Sequence, residues 1–446
     1  MAEPSKLAIT LRALRHRNFR LFIAGQLVSL IGTWMQNVAQ SWLVYRLTGS
    51  SALLGMVGFA GQFPVFLISP LGGLIADRHS RHRTVVATQT SAMLLAFVFA
   101  ALTLTGSIRV WQIFVLAALL GIVNAFDIPA RQAFLVEMVG REDLINAIAL
   151  NSSMFNGARI IGPAVAGILV AAIGEGWCFF VNGVSYIAVI AGLLLMTLAP
   201  ATARVHEGSA ISHIVEGFRF VAHAAPIRAL LLLLGLVSIT GMPYAVLMPI
   251  FADKIFQAGA RGLGILMGFS GVGALMGALM LASRREVKGL GRWVSISCGV
   301  FGVSLIAFAC TRWFWLGAAS LVPVGFAMMT QMGASNTLIQ TMTPDRLRGR
   351  VMSVYSMMFM GMAPVGALVA GVAAQRFGAP FTVGTGGLIA IAGSVVFGLR
   401  WPELRSEARQ LVLAQQMVAG APAEEVTAQD VTAQDVDGPE PIPEAR

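Results

Sequence analysis

Gly73-Leu74-Ile75-Ala76-Asp77-Arg78-His79-Ser80-Arg81-His82-Arg83 is a short basic stretch lying between two apolar runs, residues 52–76 and 84–105. About 20 apolar residues suffice to cross a bilayer, so the stretch reads as a turn joining two membrane spans. The same alternation of apolar run and short polar connection recurs from residue 19 to residue 399. It gives spans over 19–45, 52–76, 84–105, 110–128, 147–173, 177–198, 229–252, 262–282, 293–309, 314–331, 351–375 and 380–399. With 57% hydrophobic and 12% charged residues and a mean hydropathy of +0.76, a soluble globular protein is excluded. The fold class is an all-α membrane protein with twelve transmembrane helices.

The net charge of +10 is explained by orientation in the lipid bilayer, with no nucleic-acid partner required. Of the 31 Lys and Arg, 24 fall in segments on the side of the N-terminus. Six fall on the other side (Arg46, Arg109, Lys254, Arg261, Arg312, Arg376), and Arg159 lies within a span. Cytoplasmic segments are enriched in Lys and Arg, so both termini are expected in the cytoplasm of a multi-pass protein. The first span is too long for a signal-peptide core and reads as uncleaved. Cys178, Cys298 and Cys310 are far apart and form no C-x-x-C pair, so neither a disulfide framework nor a metal site is expected.

Displacing the sequence by 204 positions superimposes Gly73 on Gly277, Trp111 on Trp315, Gly121 on Gly325, Gly157 on Gly361, Gly167 on Gly371 and Gly174 on Gly378. Six matches at one offset, each in the corresponding span, indicate two pseudo-symmetric six-helix halves. The expected organisation is a basic N-terminus (1–18), a first half (19–199), a linker with an amphipathic helix (200–228), a second half (229–399) and a tail (400–446). The tail holds nine of the 21 acidic residues and a tandem Val-Thr-Ala-Gln-Asp repeat from Val426, a composition that predicts disorder.

The stretch from Gly73 to Arg83 resembles the G-x-x-x-D-R-x-G-R-x-R loop of the major facilitator superfamily, with Ser80 in place of the family's second glycine. Residues 158–167, Ala-Arg-Ile-Ile-Gly-Pro-Ala-Val-Ala-Gly, resemble the fifth-helix motif of its proton-coupled antiporters, with Ala158 and Ala166 in place of two glycines. Phe19–Gln26 running on to Trp34-Met-Gln36, then Asp127–Gln132, then Gly140–Asn151 are similar to the enterobactin exporter and macrolide-efflux branch. The resemblance implies the major facilitator fold, rocking of one half on the other, and export of a siderophore or drug-like molecule from a bacterial cytoplasm across the inner membrane against inward proton movement. It also implies a conformational switch at Gly73, Asp77, Arg78 and Arg81 and a packing motif at Gly162, Pro163 and Gly167. The chain is expected to act as a monomer. Uptake of a small solute by symport or facilitated flow is the alternative.

The residues add their own argument. Arg159 falls near mid-bilayer, where a charge is costly and marks a pathway; it is a substrate-cavity candidate. Gln26, Thr33, Gln36, Asn37 and Gln40 recur at helical spacing on one face of span 1. Such a stripe either lines a wet path, the favoured reading, or bonds to neighbouring helices. Fourteen of 22 methionines lie between Met242 and Met362 and offer an adaptable binding wall. Asp127 is an acid at the inner end of span 4, four residues before Arg131, a spacing that permits a helical ion pair; it is the candidate for proton coupling. No nucleotide-binding loop is present, the histidines all fall in cytoplasmic segments, and neither a cofactor nor catalytic residues are expected.

Overall fold

The computed structural model describes residues 12–197, 210–283 and 289–418. The first half consists of α1 (Arg17–Thr48), α2 (Ser51–Arg78), α3 (Arg81–Leu104), α4 (Val110–Val139), α5 (Leu144–Ile173) and α6 (Glu175–Leu194). A linker helix follows, α7 (Ala210–His223). The second half consists of α8 (Ala225–Thr240), α9 (Tyr244–Ile250), α10 (Gly259–Ser283), α11 (Leu290–Cys310), α12 (Phe314–Met342), α13 (Asp345–Ser356), α14 (Met362–Phe377) and α15 (Ala379–Val418). Among the described residues, twelve helical stretches are long and apolar enough to cross a membrane, with α8 to α9 and α13 to α14 each forming one span. The chain is a multi-pass, all-α membrane protein with both described ends on one face, called here the terminal face.

Short polar signals delimit the helices. The Ser50 side chain accepts from Leu53 N at the start of α2, and Ser80 accepts from Arg83 N at the start of α3. Ser80 thus serves as a helix cap. Gly174 and Gly378, 204 positions apart, end α5 and α14 with φ of 88° and 87°, a region that L side chains avoid.

The halves meet along α5 with α10 and along α2 with α14. A Cβ on Gly167 would stand 2.8 Å from Gly264 Cα, and one on Gly371 would stand 2.9 Å from Gly55 Cα. Side chains are excluded at both crossings, so the helix backbones approach closely and gain dispersion contact where lipid supplies no hydrophobic drive. Gly167 and Gly371 are equivalent in the repeat, and the two crossings are its two copies.

The helices depart from expectation at several points. Span 7, expected as one helix over 229–252, breaks at residues 241–243 between α8 and α9 and closes with a π-helical stretch, Phe251–Ile255. Span 11 holds a second, Met357–Gly361. Span 4 continues past 128 to Val139, through Pro129. The tail expected to be disordered from 400 is helical through Val418. Its first turns are anchored: Trp401 packs over Gly291, Glu407 accepts from Ala225 N at 3.1 Å, and Leu411 and Val412 pack against the buried core. Residues 419–446, with the tandem repeat, lie outside the described residues, as do 1–11, 198–209 and 284–288. In α7, Val215 and Phe218 are exposed, Val221 is buried, and Glu216 pairs with Arg350.

Candidate functional site

A cavity of about 290 Å³ lies between the halves. The first half contributes Trp34 from α1, Gln62 from α2, and Arg159 and Pro163 from α5. The second half contributes Met242, Pro243 and Tyr244 at the break in span 7, Met248 from α9, Met267 and Ser270 from α10, and Phe359 and Met360 from the π-stretch of span 11. Regular helices supply one wall and broken or widened helices supply much of the other. π-bulges of this kind are frequent at functional sites, because an extra residue in a turn redirects side chains.

Arg159 sits halfway along α5. Its guanidinium carbon lies 5.9 Å from the centroid of the Trp34 ring, within cation–π range. Trp34 is placed by the helix-5 glycine: a Cβ on Gly162 would collide with Trp34 Cβ and stand 2.8 Å from Ile31 O, so α1 reaches α5 only because Gly162 has none. Phe155 also meets Trp34 edge-on, ring centroids 5.6 Å apart. Across the cavity Tyr244, 4% exposed, shares a 2.8 Å hydrogen bond with Ser270. Among the described residues, no carboxylate and no hydrogen-bond acceptor engages Arg159.

The polar stripe of α1 does not form the cavity wall. Gln36 is 2% exposed and accepts from Asn182 Nδ2 of α6 at 2.7 Å. Thr33 approaches the Tyr186 hydroxyl of α6 at 3.4 Å. Gln26 is buried, Gln40 half-buried and Asn37 exposed, and none of them lines the cavity. For Gln36 and Thr33, bonding to a neighbouring helix replaces the expected path-lining role. Gly25 and Gly32 bring α6 against this face, so Gln36 and Thr33 are consumed in helix association.

Asp127, 3% exposed, accepts from Thr88 Oγ1 and Gln89 Nε2, both at 2.8 Å, and pairs with Arg131 at 3.2 Å. The helical pair forms because α4 continues through Pro129. This cluster joins α3 to α4 and is separate from the residues lining the cavity.

Opposite the terminal face, hydrogen bonds tie the halves together. Tyr45 Oη donates to Asp253 Oδ2 at 2.7 Å, and Asp253 belongs to the π-stretch that closes span 7. Gln375 Oε1 accepts from Ser50 Oγ, Ser51 N and Ser51 Oγ, each at 3.1 Å. Sequence reading missed both, because the partners are more than 200 residues apart and nothing local marks them.

The sequence matches the family described as transmembrane secretion effector over residues 8–429. The chain belongs to that family. Its relatives are major facilitator superfamily transporters of the enterobactin exporter and macrolide-efflux type. It is 25% identical over 383 residues to a staphyloferrin A transporter of Staphylococcus aureus (85% of this chain, 95% of the relative). It is 22% identical over 356 residues to the enterobactin exporter EntS of Shigella boydii (80% and 85%). A crystal structure of the nucleoside transporter NupG superposes with a TM-score of 0.68 at 14% identity, covering 87% of this chain and 98% of that one, which establishes the shared fold. The protein is a membrane transporter of small molecules and not an enzyme.

In this transmembrane secretion effector the two family motifs occupy different places. Gly162, Pro163 and Gly167 of α5 touch α1, the cavity and the other half in turn. The loop from Gly73 to Arg83 lies on the terminal face. There Arg81 donates to Glu137 Oε1 of α4 at 3.0 Å, and Gly73 has open space where a Cβ would stand. The side chains of Asp77 and Arg78 lie outside those described.

Proposed function

We propose that this protein exports a small amphipathic molecule from the cytoplasm across the bacterial inner membrane, by alternating access between its halves and in exchange for protons. The observation that carries the reading is the cavity between the halves, with Arg159 on one wall and methionines on the other, beneath a face sealed by Tyr45–Asp253 and Ser51–Gln375. With the termini cytoplasmic, as the bias of basic residues favours, that seal lies on the outside. Cargo then reaches the cavity from the cytoplasm, and rocking of the halves carries it outward. The relatives named as a staphyloferrin A transporter and an enterobactin exporter favour siderophore-like cargo. Each chain encloses its own cavity, so a monomer suffices.

Asp127 is the residue assigned to the proton. Protonation removes the negative partner of Arg131 and adds an O–H donor to a carboxyl that can still accept from Thr88 and Gln89, loosening the end of α4 beside α3. The switch loop, with Arg81 bonded to α4 at Glu137, lies next to that change.

The test is transport in oriented proteoliposomes with an imposed proton gradient, using catecholate siderophores, macrolides and dyes. Gradient-dependent outward movement, falling about a hundredfold in Asp127→Asn as for loss of an essential acid–base group, is expected. Inward movement, or outward movement indifferent to the gradient, identifies an uptake symporter or a facilitator.

A further inference from the structure

The cavity holds a cation and no anion. Among the described residues that line it, Arg159 is the one charged side chain, none is Asp or Glu, and none pairs with the guanidinium. A structural arginine in a membrane protein is met by a carboxylate or by backbone carbonyls. This one rests on the face of Trp34, 5.9 Å from the ring centroid. Such a contact offsets only part of the cost of desolvating an unpaired charge.

We propose that the cavity is a site for amphipathic organic anions. Arg159 takes the anionic head, a carboxylate or phosphate whose paired oxygens match the guanidinium fork. Met242, Met248, Met267 and Met360, with Phe359, take the apolar body. These flexible thioethers repack around bodies of different shape, so the site is selective in charge and permissive in shape. A lipophilic cation meets an unshielded like charge in a medium of low dielectric and is rejected. The head engages the first half and the body engages the second, so a bound anion bridges the two parts that must rock together. Trp34 parks the guanidinium when no anion is present.

The proposal rests on reading the cavity as the cargo site, and it is tested by binding instead of transport, so the two can fail separately. The probes share one apolar body: 1-naphthylacetate, its primary amide, and naphthylmethyl-trimethylammonium. Affinities are measured by calorimetry with the full-length protein in nonionic detergent. The carboxylate is expected to bind about tenfold or more tighter than the amide, the difference made by a charge-assisted hydrogen bond, and the cation is expected not to bind. Arg159→Gln should abolish the charge preference, while Arg159→Lys, which keeps the charge and loses the fork, should retain part of it. Equal binding of all three probes overturns the proposal. So does a preference that survives in Arg159→Gln, or no binding of the carboxylate to protein whose helical circular dichroism is intact. Competition by an anionic lysophospholipid, against competition by a soluble tricarboxylate, shows whether the anion comes from the bilayer or from solution. If the charge preference fails while proteoliposomes still export cargo, the transport reading stands and the anion assignment falls.

Discussion

Asp127 and Arg131 in the first half correspond, 204 positions on, to Gln331 and Ser335 in the second. Both pairs lie in the same span of their half, yet one is an ion pair between buried Asp127 and half-buried Arg131 and the other is buried and neutral. Gln331 Nε2 and Ser335 Oγ, together with Thr330 Oγ1, have no hydrogen-bond partner among the described residues. The repeat has kept the helix and changed the chemistry. The same divergence runs through the helices themselves. In the first half, Pro129 and Pro163 are absorbed into continuous helices. The second half breaks at 241–243 and widens into π-turns at 251–255 and 357–361. One half is a braced frame holding Arg159, and the other is a deformable wall holding the methionines.

The largest expected effect separates the charged pair from its neutral counterpart. Asp127→Leu leaves the buried Thr88 hydroxyl and Gln89 amide without their acceptor and the half-buried Arg131 without its carboxylate, and is expected to cost about 3 kcal/mol or more. Gln331→Leu removes a polar group that already lacks a partner, so it is expected to be neutral or stabilising by about 1 kcal/mol. Thermal unfolding of both variants in one detergent decides this. A Gln331→Leu variant destabilised as strongly as Asp127→Leu breaks the contrast and assigns Gln331 a partner that is not in view.

A smaller effect is expected where the halves have stayed alike. Gly167→Leu and Gly371→Leu each place a side chain where another helix backbone passes, and overpacking of this kind costs about 1–3 kcal/mol. Both crossings join the halves near the sealed face, so the cost falls on the closed arrangement there. A change of about 1.4 kcal/mol shifts a two-state population tenfold. Spin labels at Arg109 and Arg312, one in each half on that face, should report a larger separation in both variants and by similar amounts. A shift in only one of them shows that the two copies of the crossing no longer bear equal load.

The contrast also explains what could be read from the sequence. The spans were legible because hydropathy and length need no partner, and the repeat because glycines and a tryptophan survive at one offset. Arg159 was legible as a charge inside an apolar run, and the methionine cluster by its density. The polar stripe of α1 misled because spacing places Gln36 and Thr33 on one face without saying what covers it; α6 does, through Asn182 and Tyr186. Met360 could be counted but not aimed, since an i→i+5 turn has no composition of its own. The helical start of the tail was hidden for a related reason: its polar composition is that of a solvated segment, and contacts distant in sequence, among them Trp401 with α11 and Glu407 with α8, hold it in place.

The smallest expected effect concerns another position where the halves differ. Asp143, at the start of span 5, is fully buried beneath Arg12 Nε at 3.0 Å, Arg15 Nη2 at 2.8 Å and His16 Nε2 at 2.7 Å. Its counterpart in the repeat is Leu347, an apolar core residue. The hydrogen bond from His16, with the charges of Arg15 and Arg12, holds the Asp143 carboxyl below the ordinary carboxylate range. A carboxyl lowered in this way strengthens the folded clamp fully above its ordinary value, near pH 4, and that contribution is lost as pH falls through the lowered value. At neutral pH the contribution of the Asp143 carboxylate is therefore fully present. Asp143→Asn is expected to speed amide hydrogen exchange over residues 12–20 while leaving the Tm and the exchange of α5 unchanged, because the segment it releases is peripheral to the core. If exchange in α5 quickens as well, the clamp braces the helix that carries Arg159, and the first half owes part of its rigidity to its own N-terminus.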